Sequence, residues 1–224
     1  SGRRDVLPLL QAAMRAAEPR LRLAAVEALG LSRLPAAVDM LTAYMAADPE
    51  GVIGRRAAAV LAGWGGPVVR RSVRANLRTS RPEVQEATVA LLGELLDPVA
   101  VPHLVQWLRD PDKRGKLVRT RRLLCAITCV PSGPDAADFY EGWYGANRDR
   151  SQAAWFVEAL RRSGYSFSFA EKDLLPGAGL AAVGQLAHLL RRIDEWYLRV
   201  QAVHRLREIT GESFGRPWAV VDPG

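Results

Sequence analysis

Three stretches of this chain share one register. Residues 21–30 read Leu-Arg-Leu-Ala-Ala-Val-Glu-Ala-Leu-Gly, and the pattern recurs at 54–63 and, more loosely, at 84–93. Each copy closes on a glycine: Gly30, Gly63 and Gly93. Offsets of 33 and 30 residues mark a stacked helical repeat, whose units bury their apolar faces only against neighbours. Within the first copy Leu21, Ala24, Ala25, Ala28 and Leu29 fall at i, i+3, i+4, i+7 and i+8, one face of a helix. No alternating stretch of strand length competes with this. The expected fold is all-α, an α-solenoid of about six stacked antiparallel helix pairs of armadillo type.

Proline punctuates the pairs. Glu18-Pro19, Asp48-Pro49, Arg81-Pro82 and Asp110-Pro111 stand where second helices begin. Proline suits a first helical turn because its φ is fixed and its missing N–H is not needed there, and an acidic residue before it can cap the exposed donors. The closing glycines are expected to supply the left-handed residue after each second helix. Helices are predicted at 4–17, 20–30, 34–47, 51–63, 67–79, 82–96, 98–109, 113–130, 134–147, 151–163, 178–192 and 195–210. Small alanines at 24–25, 57–58 and 87 should let neighbouring helices approach closely. Residues 164–177 read as a loop, long enough to be either functional or poorly ordered. Regular repeats are expected over 1–130, and divergent, aromatic-rich repeats ending in a cap over 131–224.

The pattern Asp/Glu-Pro-x-Val/Leu-Arg-x-Ala-Ala-x-x-Ala-Leu-Gly resembles the HEAT repeat in its bacterial PBS-lyase-like form. Glu18 to Gly30 carry the resemblance best, followed by 52–63, 81–93 and 110–127. It implies a scaffold or binding surface rather than a particular activity. It also implies an arginine ladder at Arg22, Arg55, Arg119 and Arg199, each arginine bonding an acidic residue of the next repeat, with Gln85 interrupting the series. Downstream, Leu124-Cys125-Ala126-Ile127-Thr128 is echoed at 206–211. Aromatic segments follow both: Phe139-Tyr140-Glu141-Gly142-Trp143-Tyr144, then Phe214-Gly215-Arg216-Pro217-Trp218.

Charge is unevenly placed. The net charge of +7 rests on 31 basic residues, of which only Lys113, Lys116 and Lys172 are lysines, a skew that reads as a GC-rich bacterial genome. Residues 51–122 hold 14 basic and 6 acidic residues, whereas the rest of the chain is nearly balanced. Two basic groups stand out as candidate phosphate-binding residues. Arg70, Arg74 and Arg78 share a helical face beside Arg71, and Lys113, Arg114 and Lys116 open the run that continues through Arg119, Arg121 and Arg122. Nine of the sixteen aromatics lie within 139–169. Since arginine and aromatic side chains carry interface hot spots, Arg119, Arg122, Trp143 and Tyr144 are the candidate partner-binding residues.

Catalytic and metal chemistry find little footing. His103, His188 and His204 are isolated, and neither HExxH nor GxSxG occurs. Gly177-Ala178-Gly179 follows no strand, so it does not read as a dinucleotide loop. Asp138 with Glu141, and Asp194 with Glu195, are acid pairs that nothing distinguishes from surface carboxylates. Cys125 and Cys129 read as buried small apolar residues on one helix. No cofactor, metal or small-molecule substrate is expected, and no run is apolar enough to span a bilayer.

The expected role is a non-catalytic protein-interaction module, binding its partner on a concave face lined by second helices. It is expected to belong to a larger bacterial, cytoplasmic protein. The alternative is a nucleic-acid-binding solenoid resembling the HEAT-like DNA glycosylases, using segment 51–122 with Trp107, Asp110 and Trp143. A chromophore-lyase-like role follows from the repeat family's name alone.

Overall fold

The computed structural model describes residues 6–178 and 180–212. The aromatic segment expected at 214–218, and Gly179, lie outside the described residues. Among the described residues there are twelve α-helices and no strand, and they divide into two compact units, one ending at Leu95 and the other beginning at Leu96.

Unit 1 holds α1 (Val6–Met14), α2 (Pro19–Ser32), α3 (Pro35–Ala47), α4 (Val52–Trp64), α5 (Gly66–Ala75) and α6 (Pro82–Glu94), with a 3-10 turn at Asn76–Arg78. Of the four prolines expected to open second helices, Pro19 and Pro82 do so, whereas Pro49 stands in a bend ahead of α4 and Pro111 opens a 3-10 turn; Pro35 opens α3. Glu18 makes no side-chain cap, however. Second helices α2 and α4 pack side by side, α4 and α6 continue the row, and first helices α3 and α5 form a second row. Leu29, Leu41, Met45, Ala57, Leu61, Val73 and Leu92 are fully buried between them.

The buried face of α2 is rotated from the expected one. Ala25, Val26 and Leu29 are inside, while Leu21 is half exposed and Ala24 lies outside. The closing glycines also differ from expectation. Gly30, Gly63 and Gly93 are still helical, and the positive φ comes later, at Arg33 (53°), Gly65 (61°), Leu96 (55°) and Cys129 (61°). Those four positions recur at 32, 31 and 33 residues, so the reversal is a property of the repeat although three of the four are not glycine. Gly30 has a different use: a Cβ there would stand 3.1 Å from Val60 Cγ1, so its absence lets α2 and α4 meet closely. The Trp64 indole N–H then donates to the Gly30 carbonyl at 3.0 Å.

At Arg22 and Arg55 the expected arginine ladder is replaced by another arrangement. Arg22 donates to the carbonyls of Ala16 and Ala17 at 2.8 and 2.9 Å, and Arg55 donates to that of Glu50. Both brace the turn between the two helices of their own pair. Gln85 does the same, donating to Thr79 O at 2.6 Å, so the apparent interruption keeps the function with a shorter side chain. The inter-repeat charged contact lies one residue further on. Arg56 forks onto Glu27 with Nε–Oε1 at 2.5 Å and Nη2–Oε2 at 2.7 Å.

Unit 2 holds a 3-10 turn at Pro98–Ala100, α7 (Val101–Arg109), a 3-10 turn at Pro111–Lys116, α8 (Leu117–Thr128), α9 (Ala136–Asn147), α10 (Gln152–Arg162), a 3-10 turn at Glu171–Leu174, α11 (Val183–Leu190) and α12 (Trp196–Thr210). Helix 113–130 of the sequence reading therefore begins later, because Asp110 accepts from Asp112 N at 2.9 Å and holds Pro111–Lys116 in a 3-10 turn. Here the second helices do not form a simple row. α10 touches both α8 and α12, and α12 also packs directly on α8.

A buried polar lock joins these three helices. Gln201 is wholly buried and donates to Ala126 O at 2.7 Å. Gln152 Nε2 donates to Leu96 O at 2.8 Å and Ile127 O at 3.0 Å. Arg205, 5% exposed, donates to Gln152 Oε1 at 2.6 Å. The carbonyls at the C-terminal end of α8 are thus satisfied by side chains from α10 and α12 rather than by water. The stretch expected as a loop at 164–177 is packed into the same core. Phe169 and Leu174 are buried, Phe167 stacks on Phe169 at 4.4 Å, and Tyr165 donates to Glu195 at 2.6 Å.

Candidate partner-binding surface

α8 has two faces of opposite character. Thr120, Leu123, Leu124 and Ile127 follow helical spacing into the core, leaving Val118, Arg119 and Arg122 together on the other side. Val118 is 76% exposed and stands directly beside the two arginines. Arg122 does not wave in solvent: its guanidinium lies over the Trp196 ring at the start of α12, 5.4 Å from the centroid. Trp196 in turn meets Tyr197 edge-on at 5.7 Å. Burial pushes the Tyr197 hydroxyl up to about 12, so it stays neutral. The lock between α8 and α12 holds the Arg122–Trp196 pair across two helices 74 residues apart in sequence.

Cations gather ahead of α8, beside Asp110 and Asp112 at the start of the preceding 3-10 turn. The first turn of α8 carries no acidic residue, and Lys113, Arg114 and Lys116 precede it. Cations at a helix N-terminus add to the positive end of its dipole instead of opposing it. Lys113 and Lys116 place their ammonium groups 6.0 and 5.9 Å from the Trp107 centroid, cation–π contacts with α7. Arg121 turns away and donates to Pro134 O at 3.2 Å.

The remaining expected residues sit elsewhere. Trp143 and Tyr144 on α9 both pack edge-on against Trp155 of α10, with centroids at 4.9 and 6.3 Å, and the Trp155 indole donates to Asn147 O. They belong to a different cluster from the Arg122–Trp196 stack. Arg70, Arg74 and Arg78 lie in unit 1, on α5 and the turn after it, and Lys113, Arg114 and Lys116 in unit 2. The acid pairs are engaged structurally. Arg109 donates to Asp138 at 2.6 Å and Glu141 at 2.7 Å, and its hydrogen bond holds the Glu141 carboxyl below the usual range. Glu195 receives Tyr165; burial pushes its carboxyl up, but hydrogen bonds from Tyr165, its own backbone and Ser163 override this and leave it lowered.

Burial pushes the Cys125 thiol up to about 12 and that of Cys129 higher still, which leaves both as unreactive thiols. Among the described residues no group of three or more histidine, cysteine, aspartate or glutamate side chains could hold a metal ion. Among them, too, no helix is long and apolar enough to cross a membrane.

Two members of the surface escaped the sequence reading. Val118 stands inside the basic run 113–122, where the charged residues draw the sequence reading away from an exposed apolar side chain. Trp196 carries no local signal linking it to Arg122.

No curated protein and no solved structure matches the chain. The family model for HEAT repeats matches residues 1–62, which span α1 to α4 up to Ala62. The paired helices and the Arg56–Glu27 contact between second helices are the structural counterpart of that match, and over those residues the chain is similar to the HEAT repeat family.

Proposed function

We propose that this protein is a binding module whose unit 2 captures an acidic protein segment carrying an apolar anchor. HEAT repeats are in general protein-interaction or scaffold modules and generally non-catalytic, and the match over residues 1–62 supports a binding role. The observation that carries the finer reading is the Arg122–Trp196 stack beside exposed Val118 and Arg119. Arginine and tryptophan dominate interface energetics when held in place before binding, because little side-chain entropy is then lost on association. Val118 offers the apolar contact, while Arg119 and Arg122 offer guanidinium forks to carboxylates. Trp143 and Tyr144 are left to pack α9 against α10.

The test is affinity capture from the native cell extract with the full chain and with Arg119→Glu/Arg122→Glu. The proposal expects proteins retained by the parent to be lost from the double variant while its helical circular dichroism is unchanged. If every retained protein remains bound, the surface is not the binding site.

A further inference from the structure

We infer that the chain pairs with a second copy of itself through the uncovered side of its first helix pair. Leu21, Ala24, Ala28 and Leu31 of α2 follow one another at steps of 3, 4 and 3 and form a single uncharged stripe along the helix. Leu31 is 85% exposed, Leu21 and Ala24 are exposed, and Ala28 is half-buried. The other helix of the pair is equally bare. α1 contains no charged residue, yet only Met14 of its nine residues is buried, and Leu9 stands 69% exposed with Val6 exposed beside it. A helix that is apolar all round belongs inside a larger core.

The later pairs show what such a stripe faces. Arg22, Arg55 and Gln85 brace the same turn in successive pairs, which fixes the register. The stripe positions therefore recur at 54, 57, 61 and 64 of α4 and at 84, 87, 91 and 94 of α6. Gly54, Ala57 and Leu61 are buried, and Trp64 donates to the Gly30 carbonyl of α2, the second helix before its own. Val84 and Leu91 of α6, which packs on α4, are buried likewise. On α2 the same side of the helix meets solvent.

The spacing also says what covers it. Large, small, small, large at steps of 3, 4 and 3 reads the same in both chain directions. A two-fold axis beside residue 26 thus sets Leu21 against Leu31 of the second copy and Ala24 against its Ala28. Such self-complementarity is what an interface between identical chains requires. The alanines let the two helices approach closely at the centre, and the leucines close the contact at both ends. The pairing continues the row of second-helix interfaces from α6 through α4 to α2, with a second copy where a preceding pair would stand.

Sedimentation velocity of the full chain from about 1 μM to about 1 mM tests this. The expected result is a rise with concentration from the 24.5 kDa monomer towards twice that mass. Leu21→Glu/Leu31→Glu puts a carboxylate at each end of the contact and should raise the dissociation constant by about a hundredfold or more. Both leucines are exposed, so helical circular dichroism should not change. Leu180→Glu, at an exposed leucine of unit 2, should leave the association unaltered. The arrangement has a readout of its own. Under a mild oxidant, Leu21→Cys mixed with Leu31→Cys should form an interchain disulfide. Leu21→Cys alone should not, because the two copies of residue 21 lie on the order of 15 Å apart along the paired helices. Three results would each overturn the inference: a monomer at every concentration, a dimer untouched by the double glutamate variant, or equal cross-linking by Leu21→Cys alone. The stripe shares no residue with the surface proposed on unit 2, so the two readings fail separately.

Discussion

The two units use the same element, a pair of helices closed by a positive-φ residue, and join it differently. In unit 1 neighbours meet through small residues and an exposed ion pair: Gly30 under Val60, and Arg56 on Glu27 with side chains about half exposed. In unit 2 α12 reaches back past α10 to α8, and the joint is buried, with Gln152, Gln201 and Arg205 holding the end of α8. A row of repeats can open one interface at a time, because each contacts only its neighbours. A closed three-helix contact has no interface that can open alone. The comparison teaches that unit 2 is the part built to hold a fixed geometry, and it is there that an arginine is kept stacked on a tryptophan from another helix.

The largest effect should come from emptying the core of unit 2. Phe156 is wholly buried, and Phe156→Ala should cost about 3–5 kcal/mol. Amide exchange should then rise together in α8, α10 and α12. The matched change in unit 1 is Leu61→Ala, at about 2–5 kcal/mol, with exchange rising most in α3 and α4 and less in α6. If exchange after Phe156→Ala rose in α10 alone, unit 2 would be an ordinary row and the contrast would disappear.

Next comes the lock itself. Gln201→Leu fits an apolar side chain of similar size but strips Ala126 O of its buried donor, which should cost about 1–3 kcal/mol. Gln85→Ala removes a comparable side chain-to-carbonyl brace in unit 1, but an exposed one whose carbonyls water can reach, and should cost about 0.5–1 kcal/mol. Chemical denaturation of both variants gives the ratio. Equal losses would mean that burial of the lock adds nothing.

These joints were unevenly legible in sequence. The repeat offset and proline positions announced helix pairs, because apolar period and φ restriction are local properties that one strand of sequence carries in full. The Arg56–Glu27 contact was missed by one position: the register showed an arginine at 55, and only the rotation of α4 against α2 shows that its neighbour faces Glu27. Gln85 looked like a gap because the ladder was expected to need charge, whereas a carbonyl brace needs only a donor. The lock and the Arg122–Trp196 stack join residues 25 to 75 positions apart, and no pattern within one helix encodes such a pairing. The positive-φ positions were hidden for another reason. Arg33, Leu96 and Cys129 are not residues that favour the left-handed region, so tertiary packing overrides local preference there.

Glycine gives a prediction whose sign separates the two accounts of the repeat boundary. Gly63 is helical, and a Cβ added to it meets nothing within 4 Å. Gly63→Ala should therefore raise stability by about 0.5–1 kcal/mol through lower unfolded-chain entropy and better helix propensity. A left-handed cap at 63 would make the same change destabilising. Gly54 is the counterpart, also helical in α4, where a Cβ would stand 1.7 Å from Asp48 O. That backbone atom cannot step aside cheaply, so Gly54→Ala should destabilise by about 1–3 kcal/mol. Thermal melts of the two variants should move in opposite directions.

The smallest effect discriminates the joints by pH. Arg56's hydrogen bond holds the Glu27 carboxyl below its ordinary value, with burial opposing weakly and charge attraction adding to it. A carboxyl lowered on folding contributes stability above its unfolded pKa, about 4.3, and loses it as pH falls through the lower folded value. The pair is solvated, so Glu27→Gln should cost no more than about 0.5 kcal/mol at pH 7. The gap between parent and variant should close as pH drops below the carboxylate range, and narrow in high salt. The amide–carbonyl bonds of Gln152 and Gln201 involve no proton that titrates in that window, so the cost of Gln201→Leu should stay constant across the same series. A Glu27→Gln gap that did not change with pH would mean that the forked contact between α2 and α4 holds through packing alone, and the joints of the two units would then differ only in burial.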